Sequence, residues 1–181
     1  LAPDLPGPLR WLNIGGGLGV PYFPGDHHLD VTTLGQNLSE LLATLSSLYD
    51  DCEIVMELGR YLVAEAGVYI CEIVDKKISR GEVFLITNGG LHHQLAVSGN
   101  FGQVLRKNYP VAIANKMSGT ELETVNIVGC LCTPLDKLAD KVDLPSAEVG
   151  DLVAIFLAGA YGASASPANF LGHGKAREVL V

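Results

Sequence analysis

The sequence predicts an α/β segment followed by an all-β domain, and three observations carry that prediction. An apolar run, Trp11-Leu12-Asn13-Ile14, ends in the glycine-rich turn Gly15-Gly16-Gly17-Leu18-Gly19. A segment of helical period follows, then a second apolar run, Glu53-Ile54-Val55-Met56, ending in Glu57-Leu58-Gly59-Arg60. Beyond about Gly67 the texture changes to short β-branched runs separated by turn residues, with no second long helical period.

Taken in order, Arg10–Ile14 reads as a strand with the glycine run as its loop. Thr33–Tyr49 reads as an amphipathic helix, because Leu34, Leu38, Leu41, Leu42, Leu45 and Leu48 keep the helical period. Thr32 or Thr33 is its expected N-cap. Glu53–Glu57 is the next strand, expected to be buried between layers as parallel strands are. Val68–Val74, Val83–Thr87, Val125–Val128 and Leu152–Phe156 are the short strands of the second half. Ala147-Glu148-Val149-Gly150-Asp151 reads as a tight turn into the last of them. A lone β–α–β unit cannot bury both faces of its sheet, so preceding β/α units are expected and the chain reads as the C-terminal part of a longer protein. The expected boundary separates residues 1–66 from a β-domain over 67–181.

Composition narrows the class. Hydrophobic residues make up 48% and charged ones 18% of 181 residues, the balance of a globular chain with room for a core. A net charge of −8 and a pI near 5.0 argue against nucleic acid and anionic membrane as partners. No apolar run is long enough to span a bilayer, and no signal-peptide pattern opens the chain. Four cysteines, at 52, 71, 130 and 132, lack the zinc-type spacing and read as reduced thiols of a cytoplasmic protein.

The chemistry concentrates at the two strand ends. Glycines 15, 16 and 17 leave backbone N–H groups open to a phosphate, because no Cβ blocks close approach. The run is neither a dinucleotide fingerprint nor a P-loop, since its sixth position is Val20, and a plain tight turn is the alternative reading. Glu57 and Arg60 put a carboxylate and a guanidinium on the same rim, where barrel enzymes gather catalytic groups; the alternative is a surface ion pair. Together these motifs point to a phosphorylated cofactor that also needs a carboxylate partner. His92 and His93 follow Asn88-Gly89-Gly90-Leu91 in a loop; adjacent histidines there read as hydrogen-bonding or substrate-contacting residues, and no metal is expected. By residue chemistry alone, Cys52, Cys71, Cys130 and Cys132 read as small buried hydrophobes.

The order strand, GGGLG, helix, strand, ExGR, followed by Gly129-Cys130-Leu131-Cys132-Thr133-Pro134-Leu135-Asp136 and Gly159-Ala160-Tyr161-Gly162, resembles the pyridoxal phosphate-dependent decarboxylases of the ornithine/diaminopimelate/arginine group. Tyr61–Gly67, the His92-His93 pair, Ser98-Gly99-Asn100-Phe101-Gly102 and Ser164–Pro167 are similar to the bacterial subgroup associated with exopolysaccharide and exosortase systems. A carrier-protein-linked glutamate decarboxylase of antibiotic biosynthesis is also similar. The resemblance implies the C-terminal part of an alanine-racemase-like (β/α)8 barrel followed by a Greek-key-type β-domain.

It also implies roles. Gly15, Gly16 and Gly17 would hold the cofactor phosphate through backbone N–H groups, with Gly59 beside them and the Tyr161 hydroxyl reaching the same phosphate. Glu57 would face the pyridine nitrogen, and Arg60 would take the phosphate or a substrate carboxylate. Cys132 would enter the partner subunit's site and protonate the carbon left after carbon dioxide departs, so a homodimer with shared active sites is implied. His92, Thr133 and Asp136 would contact substrate.

Three departures bear on the substrate. The lysine that carries the cofactor lies in a region this chain does not contain, and Lys76, Lys77, Lys107, Lys116, Lys137, Lys141 and Lys175 sit in polar or turn-like settings. The chain alone is therefore not expected to catalyse decarboxylation. Where diaminopimelate enzymes carry an arginine, this chain has Gln94-Leu95-Ala96, with Arg106 about ten positions later. Thr133 is neutral where those relatives have an acid, which suits a small amino acid less than one tethered to a carrier protein. A racemase on the same scaffold and a non-catalytic partner-binding homologue are the alternatives.

Overall fold

The structure is a computed structural model that describes residues 9–49, 51–99 and 103–181. Asn100, Phe101 and Gly102 of the Ser98–Gly102 motif lie outside the described residues, as do the side chains of Leu45 and Leu48. The chain forms two compact units, the first ending at Leu62 and the second running from Val63 to Val181, with Tyr22–Pro24 belonging to the second.

In the first unit, β1 (Trp11–Gly16) pairs in parallel with β2 (Glu53–Glu57), and α1 (Val31–Tyr49) connects them. The helix starts two residues earlier than its leucine pattern indicates, and its cap is Asp30 rather than Thr32 or Thr33. A carboxylate explains the shift: Asp30 Oδ1 accepts the N–H groups of Thr32 and Thr33 at 3.0 Å each, while Oδ2 accepts the Thr33 hydroxyl at 2.7 Å. Those bonds hold the Asp30 carboxyl below its ordinary range. Leu34, Leu38 and Leu42 are half-buried along one stripe, but Leu41 is exposed. β2 is not buried between layers: Met56 is 37% exposed and Trp11 on β1 is 68% exposed. Two strands and one helix leave one face of the pair uncovered.

A short helix, α2 (Arg60–Val63), opens at Arg60 and leads toward the second unit. That unit holds β3 (Tyr69–Ser79), β4 (Glu82–Thr87), β5 (Val111–Ile113), β6 (Leu122–Val128), β7 (Lys137–Pro145) and β8 (Leu152–Ile155). They form one sheet in the order β5-β8-β3-β4-β6-β7, in which only β4 and β6 run parallel. The all-β expectation holds, and all four expected strands are present. β5 and β7 are the two that sequence patterning missed: β5 has three residues after Pro110, and β7 carries Lys141 at φ 47, which interrupts its alternation.

Arg80 (φ 53) and Gly81 (φ 81) make the two-residue turn joining β3 to β4, a turn that requires positive φ at both positions. The turn at Gly150 leads into β8 as expected, with Glu148 N–H donating to Asp151 Oδ2 at 2.7 Å. β3 is long enough to serve two partners, pairing with β8 through Tyr69–Glu72 and with β4 from Ile73 onward. Ile73, Leu85, Ile113, Val125, Ile127, Leu138, Val153 and Ile155 are fully buried and form the core. Asn108 bridges toward β7, donating to the Asp140 carbonyl at 2.7 Å and accepting the Asp140 N–H at 2.9 Å. Its side-chain amide imitates a strand partner, so the sheet nearly closes.

Candidate cofactor-binding site and the loops of the sheet domain

The candidate cofactor residues of the first unit lie at the C-terminal ends of its two parallel strands. The register pairs Asn13 with Val55 and Gly16 with Glu57, so β1 carries one more residue than β2 over this stretch. Gly15 (φ 78) absorbs the extra residue. Gly16 lies against β2 so closely that a Cβ would overlap the Glu57 carbonyl oxygen. Gly17 (φ 83) faces open space. The three glycines thus have three different jobs. The N–H of Gly15 donates to Asn13 Oδ1 at 2.7 Å, which corrects its expected role as a phosphate donor: an Asx turn has already used it. The open backbone is at Gly17.

Glu57 ends β2 with its side chain exposed, and Asn13 Nδ2 donates to its Oε1 at 2.7 Å. Gly59 follows, its carbonyl accepting the Leu62 N–H as α2 begins at Arg60. An open glycine backbone and a carboxylate on neighbouring strand ends match the two poles of a pyridoxal phosphate molecule, one anionic and one a ring nitrogen. Asn13 was missed from the sequence. Its signal was there, a lone polar residue in an apolar strand beside the glycine run.

In the second unit, three loops are tied together. Asp136 is buried, and its two oxygens accept the N–H groups of Leu91 at 2.7 Å and Leu131 at 2.9 Å. Burial pushes its carboxyl up, and the two amide bonds pull against that. Gly90 and Gly129 line it so tightly that a Cβ on either would strike the carboxylate. Asp136 therefore organises loops through the two backbone amides it accepts. Gln94 ties in the third loop by donating to the Ala158 carbonyl at 3.1 Å, and Ser166 Oγ accepts the Leu95 N–H at 2.9 Å while donating to the Gly162 carbonyl. Tyr161, in that third loop, holds φ 55, a conformation that costs a non-glycine residue energy and recurs at ligand-binding sites.

Cys132 is exposed, against its reading from residue chemistry alone as a buried hydrophobe; of the four cysteines, only Cys71 is buried. Burial pushes the Cys71 thiol up to about 12. Cys130 Sγ lies 3.6 Å from His173 Nδ1. Thr133 closes its own turn, its hydroxyl accepting the Leu135 N–H at 3.3 Å. His92 is fully buried, both ring nitrogens lack a hydrogen-bond partner among the described residues, and burial holds it down at about 4. Buried among described neighbours, it does not present to solvent as a ready substrate contact. His93 binds the Tyr69 hydroxyl at 3.0 Å. Arg106 donates to the Ser98 and Lys137 carbonyls, which occupies its guanidinium structurally. Among the described residues, no group of three or more His, Cys, Asp or Glu is arranged to hold a metal ion. Nor is any described helix long and apolar enough to cross a membrane.

The sequence model of the pyridoxal-dependent decarboxylase C-terminal sheet domain matches residues 44–159, and that of the same family's pyridoxal-binding domain matches residues 5–64. The chain belongs to the pyridoxal-dependent decarboxylase family. The cofactor of this family is pyridoxal phosphate, and the resemblance read from the motifs is borne out. The chain is 41% identical over 173 residues to the L-glutamyl-[BtrI acyl-carrier protein] decarboxylase of Niallia circulans, covering 93% of this chain and 40% of that protein. It is 33% identical to the diaminopimelate decarboxylase of Bacillus subtilis, covering 84% of this chain and 34% of that one. The diaminopimelate decarboxylase of M. jannaschii in complex with L-lysine superposes with a TM-score of 0.78 at 25% identity, over 89% of this chain and 36% of that structure. The expected architecture, barrel units followed by a β-domain, is that of these decarboxylases. The chain spans about 40% of the length of the curated relatives it matches most fully.

Proposed function

We propose that this chain supplies the C-terminal part of a pyridoxal phosphate-dependent amino acid decarboxylase whose cofactor-carrying lysine comes from a preceding barrel half. The observation that carries the reading is the pairing of Gly16 with Glu57, which sets an open glycine backbone and a carboxylate on adjacent strand ends. When bound, the cofactor's protonated ring accepts the electron pair released as carbon dioxide leaves the substrate. Glu57 keeps the proton on the ring nitrogen. Gly17 and the residues after it receive the phosphate, and Arg60 grips the phosphate or the substrate carboxylate. Cys132, exposed on its loop, delivers a proton to the substrate carbon in the partner subunit's site, so the enzyme works as a homodimer.

The substrate we favour is an amino acid tethered to a carrier protein. Three features support it: Arg106 is committed to backbone carbonyls, Thr133 is neutral, and a carrier-linked glutamyl decarboxylase is 41% identical. The barrel part is assigned to residues 1–66 and the β-domain to 67–181, in a cytoplasmic bacterial enzyme. The complete, lysine-bearing protein is expected to show a visible absorption band with pyridoxal phosphate that borohydride bleaches while fixing the cofactor to lysine. Carbon dioxide is then expected from carrier-linked glutamate in preference to free diaminopimelate. A folded protein with no such band sinks the decarboxylase reading and leaves a binding module.

A further inference from the structure

Asn13 touches both poles of the site at once. Its Oδ1 accepts the Gly15 N–H at 2.7 Å, and its Nδ2 donates to Glu57 Oε1 at 2.7 Å. A backbone N–H can only donate and an ionised carboxylate can only accept, so these two neighbours admit a single orientation of the amide. Strand geometry puts it there. Asn13 pairs with Val55, and Val55 and Glu57 share a face of β2, so Asn13 and Glu57 are diagonal neighbours on one side of the sheet. The extra residue in β1 then turns the Gly15 N–H back onto the Asn13 side-chain oxygen Oδ1.

We propose that Asn13 is a positioning residue that couples the two halves of the cofactor site: its side-chain NH2 aims the Glu57 carboxylate at the ring nitrogen, and its side-chain oxygen Oδ1 shapes the turn that opens the glycine cradle. The inference rests on the pyridoxal phosphate reading of the site. With Oε1 held by Asn13, Oε2 is the oxygen left to receive the ring N–H. Few side chains can do both tasks. Serine is too short to reach both groups, aspartate can accept from Gly15 but offers no N–H to Glu57 at neutral pH, and leucine keeps the shape while losing both bonds.

The test uses the complete, lysine-bearing enzyme loaded with pyridoxal phosphate carrying a 15N label in its ring, compared as wild type, Asn13→Leu and Asn13→Asp at pH 8. Two quantities are read, cofactor affinity by absorbance titration and the 15N resonance of the ring nitrogen. Asn13→Leu is expected to weaken cofactor binding about tenfold, the usual effect of losing a hydrogen bond to a charged group. Its ring resonance is expected to move toward the unprotonated position. Asn13→Asp keeps the Gly15 turn but sets a second anion beside Glu57, so its affinity is also expected to fall. Its ring resonance is expected to leave the wild-type position, because Glu57 loses the N–H that aims it. An Asn13→Asp resonance coincident with wild type overturns the proposal, whatever Asn13→Leu does. Failure of the underlying reading looks different: the wild type itself then gives no bound-cofactor resonance.

Discussion

Asp136 accepts two backbone N–H groups from two different loops, and the glycines at 90 and 129 give its carboxylate the space to do so. Asparagine has nearly the same shape, but its NH2 group would face one of those amides, donor against donor. Asp136→Asn is therefore expected to destabilise the protein by about 2 kcal/mol, the cost of stranding a buried donor, as read by chemical denaturation. The same residue shows how a motif can be legible in sequence while the bonds its side chain makes are not. Its place in the Gly129–Asp136 motif is legible, but only the structure shows that its oxygens are spent on Leu91 and Leu131. Gly15 teaches the same lesson, since its N–H belongs to Asn13.

Elements respond to acid through the loops that join them. His92, in the loop after β4, is held at about 4 by burial, below its ordinary 6.5, so it stays neutral in the folded protein while the unfolded chain takes up a proton below 6.5. Stability from this site is complete above about pH 6.5 and is lost as the pH falls toward 4. Asp151, where the last turn enters β8, is held at about 2, chiefly by its bond to Lys116 at 2.6 Å. Its contribution is complete above its ordinary 3.8 and is lost as the pH falls to about 2, so the two windows follow each other. Thermal unfolding is expected to show a lower midpoint at pH 5 than at pH 7. His92→Leu removes two buried ring nitrogens that have no hydrogen-bond partner among the described residues, and is expected to flatten that fall while leaving stability at pH 7 equal or higher. An unchanged pH slope in His92→Leu would assign the acid sensitivity elsewhere.

At the scale of the whole molecule, the proposed homodimer makes a prediction that no single subunit can meet. Each site would take Glu57 from one subunit and Cys132 from the other, so Glu57→Ala and Cys132→Ser enzymes should each be strongly impaired. Mixed and reassembled in equal amounts, they are expected to regain about a quarter of wild-type activity, because half the dimers are hybrids and each hybrid has one intact site. No recovery in verified hybrids would place Cys132 and Glu57 in the same subunit's site or remove Cys132 from the chemistry.

The sequence by itself determined six of the eight strands among the described residues and the helix between the first two, the family, and the positions of the chemical groups. Those rest on local signals: the leucine period of α1, the glycine run after β1, the β-branched strands and the motif around Cys132. Tertiary structure decided what each group is bonded to. Asp30 displaced the threonines as the helix cap because its carboxylate reaches two amides. β7 became a strand because β6 supplied a ladder that its own pattern does not announce. Asn13 became the link between cradle and carboxylate because a parallel register set it diagonal to Glu57. Periodicity records what each residue prefers; hydrogen bonds between residues far apart in sequence depend on register and packing, which exist only once the chain has folded.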